Sequence, residues 1–282
     1  MVKAYIDKTV YEAFIDRMDF IFSEFDNIFV SFSGGKDSGL LLNLIADYMR
    51  KRGIRKRIGL FHQDFEAQYE KTTEFVTRMF ERYAPDMDAF WCCLPMASKT
   101  ALSNYELFWY PWADEDKDKW VRPMPENPWV INKANNPFDF YTEKMLQEDL
   151  YKKFSRWYKD FCGGGKTVSL IGMRADESLH RYNAIINKRY PYKGESWITG
   201  IYKDVYSASP LYDWTTQDVW VANGKFGYDY NRLYDLFYKA GQSIVATGKT
   251  KGLMLGEGSQ SIQRMGHAIA QPVSGDRAKN VG

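Results

Sequence analysis

Cysteine is scarce in this chain: 282 residues carry three, Cys92, Cys93 and Cys162. A disulfide framework does not fit so few thiols at this length. Adjacent Cys92 and Cys93 fall on opposite faces if they lie on a strand, so they do not readily chelate one ion together. A cluster needing four thiolates cannot be built within the chain, and no iron–sulfur cluster is expected. Charge of one sign is also missing. The formal net charge is +2, which gives no global basic field to argue for nucleic acid. No apolar run is long enough to span a membrane. The opening MVKAYIDKTVYEAF lacks the apolar core of a signal peptide, so a cytoplasmic location is expected.

The chain is 45% hydrophobic and 17% aromatic, ample for a sizeable core. Val10, Phe14, Met18, Ile21, Phe22 and Phe25 recur at helical spacing. A strand former run, residues 28–32, follows. Leu40, Leu41, Leu44 and Ile45 mark a helix ending near Gly53. Residues 58–62 read as a strand, 67–83 as a helix and 88–94 as a strand stopped by Pro95. This alternation implies right-handed crossovers and a parallel sheet. Residues 167–172 add a buried strand, 176–187 a helix, and 201–207 a further strand. A short helix follows Asp213, with Thr215 or Thr216 as its cap. The expected fold is α/β, a doubly wound and mostly parallel sheet over residues 1–240.

Residues 98–165 interrupt that pattern. They hold Trp109, Trp112, Trp120, Trp129 and several prolines, and close with a helix over 142–161. They read either as a substrate-side cap or as an irregular structural insertion. From Lys239 onward six Lys or Arg face two acidic residues among many Gly and Ser. Residues 241–282 are thus a basic tail, either a lid over phosphates or a frayed end.

The most informative segment is Ser33-Gly34-Gly35-Lys36-Asp37-Ser38, set between a strand and a helix. Ligands of parallel α/β sheets bind outside the carboxyl ends of strands. Two glycines permit a tight turn that bares amide N–H groups, and the helix N-terminus beyond attracts anions. Ser33 and Ser38 can donate hydroxyl hydrogen bonds, and Lys36 can set a cation against phosphate oxygens. Asp37 would repel bare phosphate, so it points either to Mg²⁺ or to a contact that orients the loop. Spacing rules out a Walker A motif here. The run Gly163-Gly164-Gly165-Lys166-Thr167 is a decoy, because a strand rather than a helix follows it.

A second group is Arg174, Glu177 and Arg181. Arg174 would sit at the sheet's carboxyl edge, just past a strand ended by Gly172. Glu177 and Arg181 are four apart on one helix face, so their pair can hold a guanidinium in place while Arg174 forks onto an anion. Such a clamp would stabilise charge in phosphoryl or sulfuryl transfer, and the alternative is a structural salt-bridge cluster. Lys188 and Arg189 extend the basic end of that helix. Asp213 and Asp218 flank Trp214 in a segment read as fold-defining.

SFSGGKDSG resembles the pyrophosphate loop of the ATP pyrophosphatase and phosphoadenosine-phosphosulfate (PAPS) reductase superfamily. IGMRADESLHR, residues 171–181, and SPLYDWTTQDVW, residues 209–220, resemble two later segments of PAPS reductase-like domains. The resemblance covers roughly residues 25–240 and looks closest to uncharacterised bacterial and phage members described as sulfurtransferases. It implies an adenine nucleotide alpha hydrolase-like fold with ATP or a sulfonucleotide across the strand ends. It also puts the nucleoside near His62 and Asp64, where Asp64 could take ribose or a metal, or cap a loop.

Two activities follow from the resemblance. In ATP-using members an acceptor oxygen attacks the α-phosphorus and pyrophosphate leaves. In reductases a C-terminal cysteine attacks PAPS. No cysteine follows Cys162 here, and Cys93 lies at a strand end with no evident activating neighbour. The favoured expectation is therefore ATP-Mg²⁺ cleavage at the α-phosphate, adenylating an unknown acceptor, with Lys36, Asp37, Arg174 and Arg181 catalytic. PAPS binding with an external thiol, and a non-catalytic nucleotide sensor, are the alternatives. A nucleic acid or protein partner stays open, and a homodimer is the expected oligomer.

Overall fold

The computed structural model describes residues 7–99, 107–186 and 191–241. Its first helix, α1 (Val10–Glu24), starts at a capping box in which Thr9 and Glu12 satisfy each other's backbone N–H groups. Strand β1 (Asn27–Ser31) leads into α2 (Lys36–Arg52), which ends on Gly53 in the left-handed conformation. Next come β2 (Gly59–Gln63), α3 (Glu70–Tyr83) and β3 (Asp88–Cys92). The middle segment contributes β4 (Ser98–Lys99), β5 (Phe108–Trp109), β6 (Val130–Ile131) and α4 (Gln147–Phe161). Then follow β7 (Thr167–Ile171), α5 (Leu179–Ile186), β8 (Pro191–Tyr192), β9 (Glu195–Tyr202) and β10 (Val205–Ala208). Helices α6 (Thr216–Phe226) and α7 (Leu233–Lys239) close the described chain.

Eight strands form one sheet in the order β6-β3-β2-β1-β7-β10-β9-β8. Pairings from β6 through β10 are parallel, and the β10-β9-β8 end is antiparallel. Successive residues of β1 face opposite sides, which builds a core on each face. Ile28 and Val30 pack with Met18 of α1, Leu44 of α2 and Phe80 of α3. Phe29 turns the other way, joining Phe61, Phe90, Phe154 and Tyr158 under α4. Phe61 and Phe154 stack with centroids 4.1 Å apart. The expected α/β architecture with a mostly parallel sheet is what forms. Among the described residues no helix is long and apolar enough to cross a membrane.

Three expectations need correction. The sheet does not skip residues 98–165, because β6 pairs in parallel with β3 through Trp91–Val130 and Cys92–Ile131. Two residues are too short a run for strand periodicity to mark. The helix expected over 176–187 is broken: a 3₁₀ turn at Ala175–Glu177 precedes an extended Ser178, and α5 begins only at Leu179. The strand expected within 201–207 is the second arm of a β9–β10 hairpin that turns at Asp204, with φ +60°. The tail from residue 242, with Lys188 and Arg189, lies outside the described residues.

Candidate nucleotide-binding site

The loop of residues 33–38 leaves the carboxyl end of β1, at the centre of the sheet between β2 and β7. Gly34 has φ +76°, and a Cβ there would lie 2.8 Å from Val76 Cγ2 and 2.9 Å from Thr72 Cγ2. Glycine is required on both counts. Gly35 stands at the N-cap of α2, which has no side-chain cap. Lys36 N–H goes to the Tyr234 hydroxyl and Gly39 N–H to Gly35 O, so among the described residues the amides of Asp37 and Ser38 are those left to suit an anion. The Ser33 and Ser38 hydroxyls bond each other at 3.0 Å, and Ser38 Oγ also accepts from Ser33 N–H at 3.2 Å. Ser38 thereby folds the loop back on itself. Gly172, just past β7, faces the same backbone: a Cβ there would sit 2.7 Å from Ser38 N and 2.8 Å from Asp37 C.

Lys36 and Arg174 are each 1% exposed. Lys36 Nζ donates to Asp37 Oδ2 at 2.9 Å, and Arg174 Nε donates to Asp37 Oδ1 at 2.8 Å. Arg174 also donates to Trp214 O at 3.1 Å and Thr216 Oγ1 at 3.2 Å, and Asp176 lies 3.5 Å away, nearly half exposed. The fork of Arg174 thus points inward onto Asp37 rather than outward onto an anion. Arg174 is a positioning residue that ties the loop to β7 and α6. Asp37 has both oxygens taken by cations, and among the described residues no group of three or more His, Cys, Asp or Glu could hold a metal. This donor set does not fit Mg²⁺ held by Asp37. Of the two readings of Asp37, the loop-orienting contact is the one the geometry shows.

Arg181 Nη1 meets Glu177 Oε2 at 2.7 Å across the break at Ser178, so the pair forms without a shared helix. Burial and the nearby Asp37 carboxylate push the Glu177 carboxyl above its ordinary range. Arg181, about a third exposed, is the cation of this group that solvent reaches. Thr215 caps α6 in a box with Asp218, while Asp213 pairs with Arg17 of α1. Trp214 is buried edge-on against Phe14, as a fold-defining residue should be.

His62 and Asp64 do not reach the open edge of the sheet. His62 Nδ1 lies 2.7 Å from Phe32 O, which only accepts, so Nδ1 carries the proton and Nε2 is left without a partner. Burial pushes the His62 pKa down. Asp64 is 0% exposed; it accepts from Trp91 Nε1 at 2.8 Å, Glu66 N–H at 2.8 Å and Arg122 Nη2. Glu66, at φ +61°, accepts from Trp112 N–H and Val121 N–H, each at 2.9 Å. The two carboxylates strap the Trp-rich segment to the sheet, so neither takes ribose or metal in this arrangement. Cys93 is no nucleophile either: it and Cys92 are buried, which raises both thiols well above their ordinary value.

Two residues at the site carried no signal in the sequence. Asn231 Nδ2 donates to Gly34 O and Thr72 Oγ1, both at 2.9 Å. The Tyr234 hydroxyl accepts from Lys36 N–H at 3.2 Å, and its ring lies 5.6 Å from Lys36 Nζ. Arg78 forks onto Asp229 at 2.8 and 3.2 Å and fixes the segment before α7. Only the aromatic density of residues 228–238 hinted at packing, and α7 is too short for helical spacing to show.

The family model described as the phosphoadenosine phosphosulfate reductase domain matches residues 27–110 and 116–241. The uncharacterised protein YbdN of Escherichia coli K12 is 34% identical over 241 residues, 82% of this chain and 56% of that protein. The chain thus spans about half the length of this curated relative. A PAPS reductase from Candida auris, solved as a phosphate complex, aligns at 16% identity and TM-score 0.42, over 82% of this chain and 85% of that one. An FMN adenylyltransferase from Candida glabrata, solved with FAD and inorganic pyrophosphate, aligns at 14% identity and TM-score 0.43, over 82% and 64%. With the family model matched on both sides of the pyrophosphate-type loop and through Arg174 and Trp214, the chain belongs to the phosphoadenosine phosphosulfate reductase domain family.

Proposed function

We propose that the loop of residues 33–38 holds the β- and γ-phosphates of ATP and that the chain cleaves at the α-phosphate. An acceptor oxygen forms a bond to the α-phosphorus, the bond from that phosphorus to the α–β bridging oxygen breaks, and pyrophosphate leaves with the bridging oxygen. The acceptor is adenylated and its proton passes to solvent. One observation carries the phosphate half of this reading. The N-terminus of α2 has no side-chain cap, and it meets Lys36, whose ammonium Asp37 holds beside the loop. An uncapped helix N-terminus with a cation next to it favours an anion.

Within this reading Lys36 places its ammonium against the phosphate oxygens, and the loop amides and Ser33 and Ser38 hydroxyls complete the cradle. Asp37 and Arg174 hold Lys36 and the α2 N-terminus in position. Arg181 is the cation left to meet charge on the leaving pyrophosphate. Mg²⁺ is not assigned a protein ligand, since both oxygens of Asp37 are occupied. The state of the thiols supports phosphate over thiol chemistry: Cys92 and Cys93 are buried, and Cys162 caps the far end of α4, ahead of β7 and thus at the opposite edge of the sheet.

Calorimetric titration with ATP and, separately, with PAPS tests the reading, using the wild type and Lys36→Met. ATP binding that weakens about tenfold or more in the variant is the expected result, since a charge-assisted hydrogen bond is lost. Pyrophosphate release is then the assay for acceptors. PAPS binding with no ATP binding overturns the reading in favour of a sulfonucleotide protein that borrows an external thiol.

A further inference from the structure

The Trp-rich segment lines a solvent-open cavity of about 730 Å³ at the carboxyl ends of β3 and β6. Cys93, the residue after β3, lies at its wall, and Asn132, the residue after β6, lines it too. That volume is in the range of small-molecule sites. The cavity shares the sheet edge with the phosphate loop but is displaced from it. From β1 past β2 to β3 is two strand spacings, roughly 10 Å, with β6 one spacing further. This offset matches the reach from the phosphates of an extended nucleotide to its base. The nearer positions, His62 and Asp64, are closed: both are fully buried, and Asp64 is engaged by Trp91 and Arg122.

The chemistry of the lining fits a base. Trp120 is held by a hydrogen bond from Nε1 to Ala113 O at 3.0 Å and by an edge contact with Trp112, centroids 5.1 Å apart. Trp120 is half-buried, and an exposed, flexible lysine, Lys117, lies over its ring at 5.7 Å, so a base stacking on that face displaces only the end of this side chain. A fixed indole with an accessible face is a stacking platform. Asn127 and Asn132 each spend the side-chain oxygen on a local backbone N–H, leaving Nδ2 as a donor with no partner among the described residues. Glu126, also in the lining, supplies an exposed carboxylate acceptor. Ring nitrogens that accept and an exocyclic amine that donates complement this set, and adenine offers both.

We infer that the cavity of the Trp-rich segment binds the adenine end of the nucleotide, with Trp120 stacking on the base and Glu126 accepting from its amine. This inference rests on the phosphate-loop reading for the other end of the same molecule. It gives the segment between β3 and α4 a recognition role and makes the nucleotide bridge from β1 to β6.

Calorimetry with three probes, adenosine, inorganic pyrophosphate and ATP, separates the two ends. Trp120→Ala is expected to weaken adenosine and ATP by about tenfold or more, and to leave pyrophosphate unchanged. Lys36→Met is expected to weaken pyrophosphate and ATP and to spare adenosine. Because removing Trp120 also loosens Trp112, a second variant alters only an exposed side chain. The wild type should prefer adenosine to inosine, whose exocyclic carbonyl oxygen faces the carboxylate in place of the amine, and Glu126→Gln should erase that preference. Adenosine binding untouched by both variants overturns the inference and leaves the phosphate reading standing. Adenosine binding that depends on Trp120, in a protein indifferent to pyrophosphate, upholds the cavity and removes the phosphate reading. A wild type blind to adenosine and inosine overturns the inference outright.

Discussion

Two buried charge clusters sit along one sheet edge, and they are closed in different ways. Beside β1 and β7, the buried Asp37 holds Lys36 on one oxygen and Arg174 on the other, with Asp176 and Glu177 near the same cations. Beside β2 and β3, the Arg122 guanidinium donates to the Asp64 carboxylate and to the Glu66 backbone carbonyl, and both acidic residues are buried. The second cluster balances its surplus negative charge internally, with N–H groups of Trp91, Trp112, Val121 and Glu66 aimed at the two carboxylates. At the first, α2 lacks a side-chain cap, and among the described residues Lys36 N–H meets the hydroxyl of Tyr234. A cluster saturated from within is a strap. The cluster beside an uncapped helix end is the one we propose as the receptor for an anion.

The largest effect should come from breaking the cluster around Asp37. Arg174→Ala removes one cation from a buried pair and strands Trp214 O and Thr216 Oγ1, at an expected cost of about 3–5 kcal/mol in urea unfolding. Arg174→Lys should recover only part of this, because an ammonium cannot reach Asp37, Trp214 O and Thr216 in the fork that guanidinium supplies. If the lysine variant matches wild type, Arg174 is merely a charge and the positioning role is wrong. On the negative side, Glu66→Ala should cost less, about 2–3 kcal/mol, by leaving Trp112 N–H and Val121 N–H without acceptors. Its signature should be local: faster hydrogen exchange over residues 112–122, with the α2 N-terminus unchanged.

Gly172→Ala should have a smaller effect than either. The added methyl meets backbone rather than a flexible side chain, so the loop must move, at about 1–3 kcal/mol. Loss of pyrophosphate affinity should exceed the loss of stability, because the shifted atoms are Asp37 C and Ser38 N. Equal losses would mean that loop geometry does not govern anion binding.

The loop was legible in the sequence and the strap was not, for a physical reason. Residues 33–38 are contiguous, and a turn between strand and helix dictates its own residue types: Gly34 for positive φ and hydroxyls for the fold-back. Arg174 was legible as a participant through its position past β7, but its partner was not. An ion pair spanning 137 residues leaves no spacing to read. The strap joins Asp64 and Glu66 to residues 112–122 through backbone N–H groups, which any sequence supplies. Asn231 and Tyr234 were hidden likewise, since packing alone brings the region of α7 to the loop. Periodicity found the long helices and central strands, and failed at two-residue β6 and at the break before α5.

The smallest expected effect is a pH dependence that carries opposite signs on the two sides. Burial lowers the His62 pKa from its ordinary 6.5, so the folded chain keeps this imidazole neutral where the unfolded chain protonates it. Its contribution is intact above pH 6.5 and is lost as pH falls below that value, at no more than about 1.4 kcal/mol per pH unit. Glu177 runs the other way. Burial and Asp37 raise its carboxyl above 4.5, so between that value and the raised one the folded chain binds the extra proton and acidification stabilises it. His62→Gln keeps an N–H donor for Phe32 O and should flatten the acid limb below pH 6.5. Glu177→Gln should steepen it, because the opposing proton uptake is gone. Urea midpoints measured from pH 7.5 to 5 on both variants check the pair. Parallel shifts of the two curves would show that neither group titrates differently on folding, and the electrostatic contrast between the two clusters would then have to rest on their hydrogen-bond partners alone.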